Sequence, residues 1–433
     1  MGKYTLPPVK SGNMDKYLKN TVQTIQELIQ IDSTNQPAEP GMPFGKGAAR
    51  ALQVFLSRAR EMGFTTHNYD NYVGEVIFGE GEEIAVLAHL DVVPAGSGWK
   101  HPPFGGEIEN GKIYGRGAMD DKGPAVICLY ALSAMKYEGF KPKKKIKLIV
   151  GCNEESGWGC IEHYKKCTAM PAIGFTPDAE FPVIYAEKGI LHVRFFFPVE
   201  KAPFTALYGG EAVNMVCAEA FAQCENMSGH EQYGLHAENG MLVSRGISAH
   251  ASTPEQGKNA LKALFAFFAA QNKDMKRAYD ILFADTCGLK QFSDETGTLT
   301  LSPDIASYGD GILSVSADIR YPATLPLQVI TEALDKTGTR YEQLNHQPAL
   351  FNSKDSFLID TLLRVYKEET GENTQPIAIG GGTYARALKC GAGFGPQFQN
   401  QPSTIHQKDE YISVEHVLFL LKMYRRAIEE LAK

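Results

Sequence analysis

Glu83-Ile-Ala-Val-Leu-Ala-His-Leu-Asp91 decides the reading of the fold. A continuous apolar run of strand length belongs inside a sheet that is covered on both faces. Residues 72–78 read as another strand, across the Gly79-Glu80-Gly81 turn. Ile146-Lys-Leu-Ile-Val150 is a further buried-strand run, and Ala172-Ile-Gly-Phe175 a shorter one. Residues 14–31 and 45–62 carry apolar positions at helical spacing. The segment from Asp121 to about Gly139 reads as a helix with Pro124 in its first turn, where a missing N–H costs nothing. Strands that alternate with helices predict an α/β fold, with a parallel or mixed β-sheet covered by helices. Ligands of such sheets sit beyond the carboxyl ends of the strands. His89 ends one apolar strand, Glu154-Glu155 follow the next and Asp178 follows a third, so one shared site is expected there.

After Glu187-Lys-Gly189 the character changes. Residues 191–198 read as a strand, followed by a long polar, Gly-containing stretch to about 242. Another strand, a helix near 258–271 and an alternating strand at 312–320 come next, ending in Arg320-Tyr-Pro322. The 433 residues exceed what one hydrophobic core usually serves, so two domains are expected. An inserted α+β domain, residues 189–350, would interrupt a catalytic domain made of 1–188 and 351–433. A helix at 355–369 returns the chain to that domain, Gly380-Gly-Gly382 marks a backbone approached closely, and a last helix spans about 413–432.

A hydrophobic fraction of 43% and a charged fraction of 21% are ordinary for a globular enzyme. The net charge of −7, with no stripe of Lys or Arg, argues against nucleic acid and anionic membranes as partners. Lys141-Pro-Lys-Lys-Lys145 reads as a solvated turn. No apolar run approaches the roughly 20 residues of a membrane span. MGKYTLPPVK lacks an apolar signal core, so a cytosolic location is expected. The eight cysteines form no CxxC pair and read as reduced thiols, Cys152 among them as a packing residue and not a ligand.

Chemistry is dictated by one ordered set: His89-x-Asp91, Asp120-Asp121, Glu154-Glu155, Asp178 and His406. Crowded carboxylates repel one another unless cations neutralise them or protons are taken up. Histidine with Asp and Glu suits zinc, with manganese or cobalt as substitutes. Each signal alone has a plainer reading. His89 and Asp91 share one face of a strand end, which is also how a capped strand end looks. Asp120-Asp121 precede a helix whose positive end favours acids, so Asp121 is expected to cap it while Asp120 binds metal. Glu154-Glu155, flanked by Gly151 and Gly157, suit a split role in which one ligates and the other takes a proton from water. Asp178 alone is an ordinary turn residue, and His406 alone an exposed loop histidine. The set, in this order and at these strand ends, is what points to two metals and a base.

At these residues the chain resembles the co-catalytic zinc metallopeptidases that include carboxypeptidase G, aminoacylase, succinyl-diaminopimelate desuccinylase and carnosinase. The resemblance is carried by Ala88-His-Leu-Asp-Val-Val-Pro94, Gly115-Arg-Gly-Ala-Met-Asp-Asp-Lys-Gly123, Asn153-Glu-Glu-Ser-Gly157 and Thr176-Pro-Asp-Ala179. Within that family it is most similar to the PepV-type bacterial dipeptidases, which act on Xaa-His or carnosine-like dipeptides. Trp99-Lys-His-Pro-Pro-Phe-Gly105, Asp178-Ala-Glu-Phe-Pro182, Ala249-His-Ala-Ser252, Ile379-Gly-Gly-Gly-Thr-Tyr384 and His406-Gln-Lys-Asp-Glu-Tyr-Ile412 carry this closer likeness. It is looser in roughly 199–245 and 272–310.

The resemblance implies a zinc-peptidase catalytic domain with an inserted lid, and two Zn2+ per subunit. His89 and Asp178 would hold one zinc, Glu155 and His406 the other, and Asp120 would bridge them. Asp91 would orient His89, Glu154 would be the general base, and the Asp120–Asp121 peptide would be cis. In the lid, His250 would polarise the scissile carbonyl, while Asn214 and Arg320 would face substrate, the arginine offering a fork to a peptide carboxylate. Gly381, Gly382 and Thr383 would hold the substrate's backbone ends. The enlarged lid would mimic a second subunit, so a monomer is expected, with a dimer as the alternative. The leading reading is a metallodipeptidase whose partner is a small peptide with free termini. A deacylase of N-acyl amino acids or succinyl-diaminopimelate is the alternative within the same chemistry, and a catalytically dead binding protein on the same fold is the alternative outside it. No GxSxG elbow or Cys–His signature supports a serine or cysteine hydrolase.

Overall fold

The computed structural model describes residues 14–433. MGKYTLPPVK, on which the signal-sequence reading rests, lies outside them. The chain divides into two units: the residues up to Tyr185 with Asn352–Ile377 and Thr383–Lys433, and Ala186–Phe351 with Ala378–Gly382.

In the first unit the run quoted above is strand β3 (Glu83–His89). Its neighbours are β1 (Thr65–Tyr69), β2 (Val73–Phe78), β4 (Lys145–Gly151), β5 (Ile173–Thr176) and β6 (Cys390–Gly393), in the order β1-β2-β4-β3-β5-β6. The three central pairings, β4–β3, β3–β5 and β5–β6, are parallel, while β1–β2 and β2–β4 are antiparallel, so the sheet is mixed. The Gly79-Glu80-Gly81 turn therefore joins strands that are not neighbours, because β4 inserts between β2 and β3. Side chains alternate across a strand. Ala85 and Leu87 pack with Cys160, Ile161 and Tyr164 of helix α4 (Gly159–Cys167). Ile84, Val86 and Ala88 must then point to the opposite face, where they are equally buried. Helix α3 (Lys122–Tyr137) packs against β3 and is itself flanked by α1 (Asp15–Ile29) and by the last helix, Val414–Leu431. Thirteen of its sixteen residues are buried, which is the expected state of a helix that is apolar all round.

The second unit is an eight-stranded antiparallel sheet. Its long strands are Gly189–Pro198, Thr300–Gly309, Ile312–Tyr321 and Arg340–Gln347. Helices Ala260–Ala269 and Lys273–Leu282 bury their apolar faces in one core with these strands. The long polar, Gly-containing stretch up to about 242 holds three short strands, Ala206–Gly209, Glu219–Gln223 and His236–Glu238. Ala378–Gly382, expected in the first domain, falls in this unit. Gly380 O accepts from Arg320 Nη1 at 2.7 Å, and Ile379 O accepts from Lys188 N at 2.9 Å.

No helix among the described residues is long and apolar enough to cross a membrane. All eight cysteines are free. Leu87 is fully buried at the centre of the mixed sheet. Leu87→Ala should cost about 2–5 kcal/mol and lower the urea midpoint followed by circular dichroism. An unchanged midpoint would contradict this packing.

Candidate active site

Parallel pairing sets the level of the site. His89 at the end of β3 is in register with Gly151 at the end of β4, and Leu90 N donates to Gly151 O at 2.9 Å. The chain beyond β4 thus delivers Glu154 and Glu155 to the side of the sheet where His89 points, and the chain beyond β5 delivers Asp178. Gly151 admits this geometry, since a Cβ there would lie 2.2 Å from the Tyr384 hydroxyl. Tyr384 in turn packs edge-on against the rings of His89 and Trp158.

Asp120 is the centre of the cluster. Its Oδ1 lies 3.0 Å from His89 Nε2 and its Oδ2 2.9 Å from His406 Nε2. His89 Nε2 is also 3.5 Å from Asp178 Oδ2, and His406 Nε2 is 3.1 Å from Glu155 Oε1. Each imidazole thus has its own carboxylate and shares Asp120. The Asp120–Asp121 peptide is cis.

Supporting contacts correct the expectation for Asp121 and detail the one for Asp91. Asp121 occupies the position before α3 but makes no side-chain cap; its Oδ2 instead accepts the backbone N–H of His89 at 3.0 Å, which ties the α3 entry to the end of β3. His89 Nδ1 donates to the Asp91 backbone carbonyl at 3.0 Å and stands 3.5 Å from the Asp91 carboxylate. That carboxylate is held mainly by two other donors, the backbone N–H groups of Glu154 and Glu155, at 3.0 and 3.1 Å. Asp91 therefore orients His89 through its carbonyl and fixes the two glutamates through its side chain. Glu154 Oε1 accepts from the Trp158 indole N–H at 3.1 Å, a contact the sequence reading missed.

The donor set fits divalent metal. A carbonyl can only accept, so His89 Nδ1 carries a proton and Nε2 is the atom left to ligate. Without a cation the cluster holds together only by taking up protons. Burial opposes protonation of His89, but hydrogen bonds to Asp120, Asp178 and Asp91 raise it well above the usual histidine value. Burial likewise opposes His406, yet Asp120 and Glu155 raise it to about 11. Burial, with neighbouring negative charge, raises Glu154, Glu155 and Asp178. Asp120 alone among the candidate ligands is lowered: burial would raise it, but its hydrogen bonds to His406 and His89 prevail. His89, Glu154 and Asp178, and likewise His89, Asp120 and Glu155, place ligand atoms within 4.8 Å of one another. A cavity of about 370 Å3 adjoins the cluster, lined by Asp120, Asp178, Glu180, Gln397 and their neighbours.

Thr383 belongs to this first unit; it is buried, and its hydroxyl accepts the Ala385 N–H at the head of a 3-10 turn. The remaining expected substrate residues belong to the second unit. There Ala251 N donates to Asn214 O at 2.9 Å, and Asn214 is exposed. Ser252 N donates to His250 Nδ1 at 3.1 Å, so Nδ1 is an acceptor and the proton of the neutral ring sits on Nε2. Burial, then the Arg320 charge, lowers the His250 pKa, with Asp318 opposing, which favours the neutral ring. Arg320 is 4% exposed, and its Nε and Nη2 both bind the Asp318 carboxylate at 2.7 Å. The fork expected to receive a substrate carboxylate is therefore engaged within the strand, because Asp318 lies two residues earlier on the same face. With Nη1 also bound to Gly380 O, one N–H on each of Nη1 and Nη2 remains. Gly381 is half-buried and Gly382 exposed in this unit.

Residues 85–430 match the peptidase family M20/M25/M40. The chain belongs to that family. This makes it a hydrolase of peptide bonds, from a family of metal-dependent enzymes. The chain is 38% identical to a putative dipeptidase, YtjP, of Bacillus subtilis strain 168, covering 96% of this chain and 98% of that one. It is 34% identical to a Beta-Ala-Xaa dipeptidase of Lactobacillus delbrueckii subsp. lactis, covering 95% and 96%. Among solved structures it shares the fold of human carnosine dipeptidase 1, with a TM-score of 0.61 at 14% identity over 98% of this chain and 100% of that one.

Metal binding to such a cluster requires its ligands to give up their protons. Zinc added to metal-stripped protein at pH 7 should release protons, read as a binding enthalpy that depends on the ionisation heat of the buffer. A buffer-independent enthalpy would contradict the protonated cluster.

Proposed function

We propose that the protein is a two-metal dipeptidase that hydrolyses dipeptides with free termini, of the Xaa-His or β-alanyl kind. The observation that carries the two-metal reading is Asp120, whose two oxygens each meet one imidazole. His89 and Asp178 would hold one zinc and Glu155 and His406 the other, with Asp120 between. The substrate class is supported by the dipeptidase names of relatives that match over nearly the full chain.

When bound, the metals supply Lewis acidity toward water and the scissile carbonyl. Glu154 takes a proton from the attacking water and returns it to the leaving amine. Its carboxyl is aimed by the Trp158 indole and by the Asp91 grip on its backbone. His250, with its proton on Nε2, is the donor proposed for the developing oxyanion. The two remaining Arg320 N–H groups, Asn214 and the Gly381 to Thr383 backbone are the groups proposed to hold the substrate's ends. A monomer in the cytosol is the assembly and setting proposed with this reading.

Glu154→Ala should lower kcat by about 10²–10⁴-fold while leaving the metal content unchanged. Loss of metal together with activity would make Glu154 a ligand instead. The zinc- or manganese-loaded enzyme should cleave free dipeptides, Xaa-His among them, and spare N-acetyl and N-succinyl amino acids. Cleavage of only the acylated compounds would make the protein a deacylase.

A further inference from the structure

Four residues after His406, Glu410 is fully buried and gathers donors from the loop that carries Asp120. Its Oε1 accepts the backbone N–H groups of Gly117, Met119 and Asp120, at 3.1, 2.9 and 3.2 Å. Its Oε2 accepts from Arg116 Nη1 at 2.6 Å, and its carbonyl accepts from Gly115 N at 2.9 Å. Arg116 also donates to Gln407 O at 3.4 Å, one residue after His406. Three N–H groups so close in sequence converge on one oxygen only where the chain curls tightly. Gly117 permits the curl with a φ of +87°, and a Cβ there would lie 2.9 Å from Val92 Cγ1. The Gly115 to Gly123 motif is thus a cradle for a carboxylate that comes from the His406 loop.

We infer that Glu410 is a positioning residue for the metal centre. Its single carboxylate fixes Asp120 by the backbone and anchors the chain that presents His406, so both carboxyl oxygens of Asp120 meet their imidazoles. Glu410 touches neither substrate nor metal in this role. Groups one step behind metal ligands typically change affinity by about 10–100-fold when removed. The inference rests on the two-metal reading above.

The test is zinc affinity of full-length protein by chelator competition, with stoichiometry measured alongside. Glu410→Gln keeps the size but removes the charge that faces Arg116. Glu410→Asp keeps the charge but falls one methylene short of the three N–H groups. Both should weaken zinc binding by about 10–100-fold, with turnover restored by excess zinc. Leu56→Ala, on the buried face of helix α2 (Lys46–Glu61), should destabilise the fold yet bind zinc as the wild type does. Wild-type affinity in both Glu410 variants, or an equal loss in Leu56→Ala, would overturn the inference. So would failure of both variants to fold, which would make Glu410 purely structural. A wild-type protein that binds one equivalent would instead sink the two-metal reading, and the Glu410 effect would then be read on that one equivalent.

Discussion

Asp120 stands between two imidazoles, and the first unit is organised to keep it there. Three more carboxylates, Glu154, Glu155 and Asp178, lie half-buried beside the pair. So much negative charge removed from water is tolerable only when it is neutralised. Two histidines supply part of the balance, and the remainder must come from protons or from bound cations. Protein architecture and metal chemistry meet at this constraint. The site is unfavourable as a set of free acids, so it holds a latent affinity for divalent metal.

The sheet meets the constraint through register. One residue of slip between β3 and β4 would turn His89 to the other face and away from Asp120 and Asp178. Hydrogen bonds that cross between strand ends and loops then lock the positions: Asp121 to the His89 N–H, and Asp91 to the N–H groups of both glutamates. These acids act on backbone, so adjacent acids in the sequence serve different ends. Asp120 reaches the cluster while Asp121 holds the end of β3, and both glutamates reach it while Asp91 holds their loop.

The parts of this design that are local in sequence are legible there. Apolar runs of strand length placed β3, β4 and β5, and acids just beyond them marked the site edge. Contacts between distant segments left no such trace. The acceptors for Gly117, Met119 and Asp120 lie some 290 residues away at Glu410, so the glycines of that motif show only that the backbone bends. Asp121 had the position of a helix cap, and only the tertiary approach of His89 N–H gives its carboxylate another use. In the second unit, strands of three to five residues carry too few alternations to stand out. Pro303 and the adjoining bulge break the pattern of Thr300–Gly309. The Asp318–Arg320 pair was readable, since residues two apart on a strand share a face.

In the proposed site, Asp120 would lie between two metal positions with separate imidazoles. Anomalous diffraction at the zinc absorption edge, from crystals of the zinc-loaded protein, tests it most directly. Two peaks flanking Asp120 are expected, one beside His89 and Asp178 and the other beside His406 and Glu155. A single peak, or a pair that leaves Asp120 unligated, would contradict it.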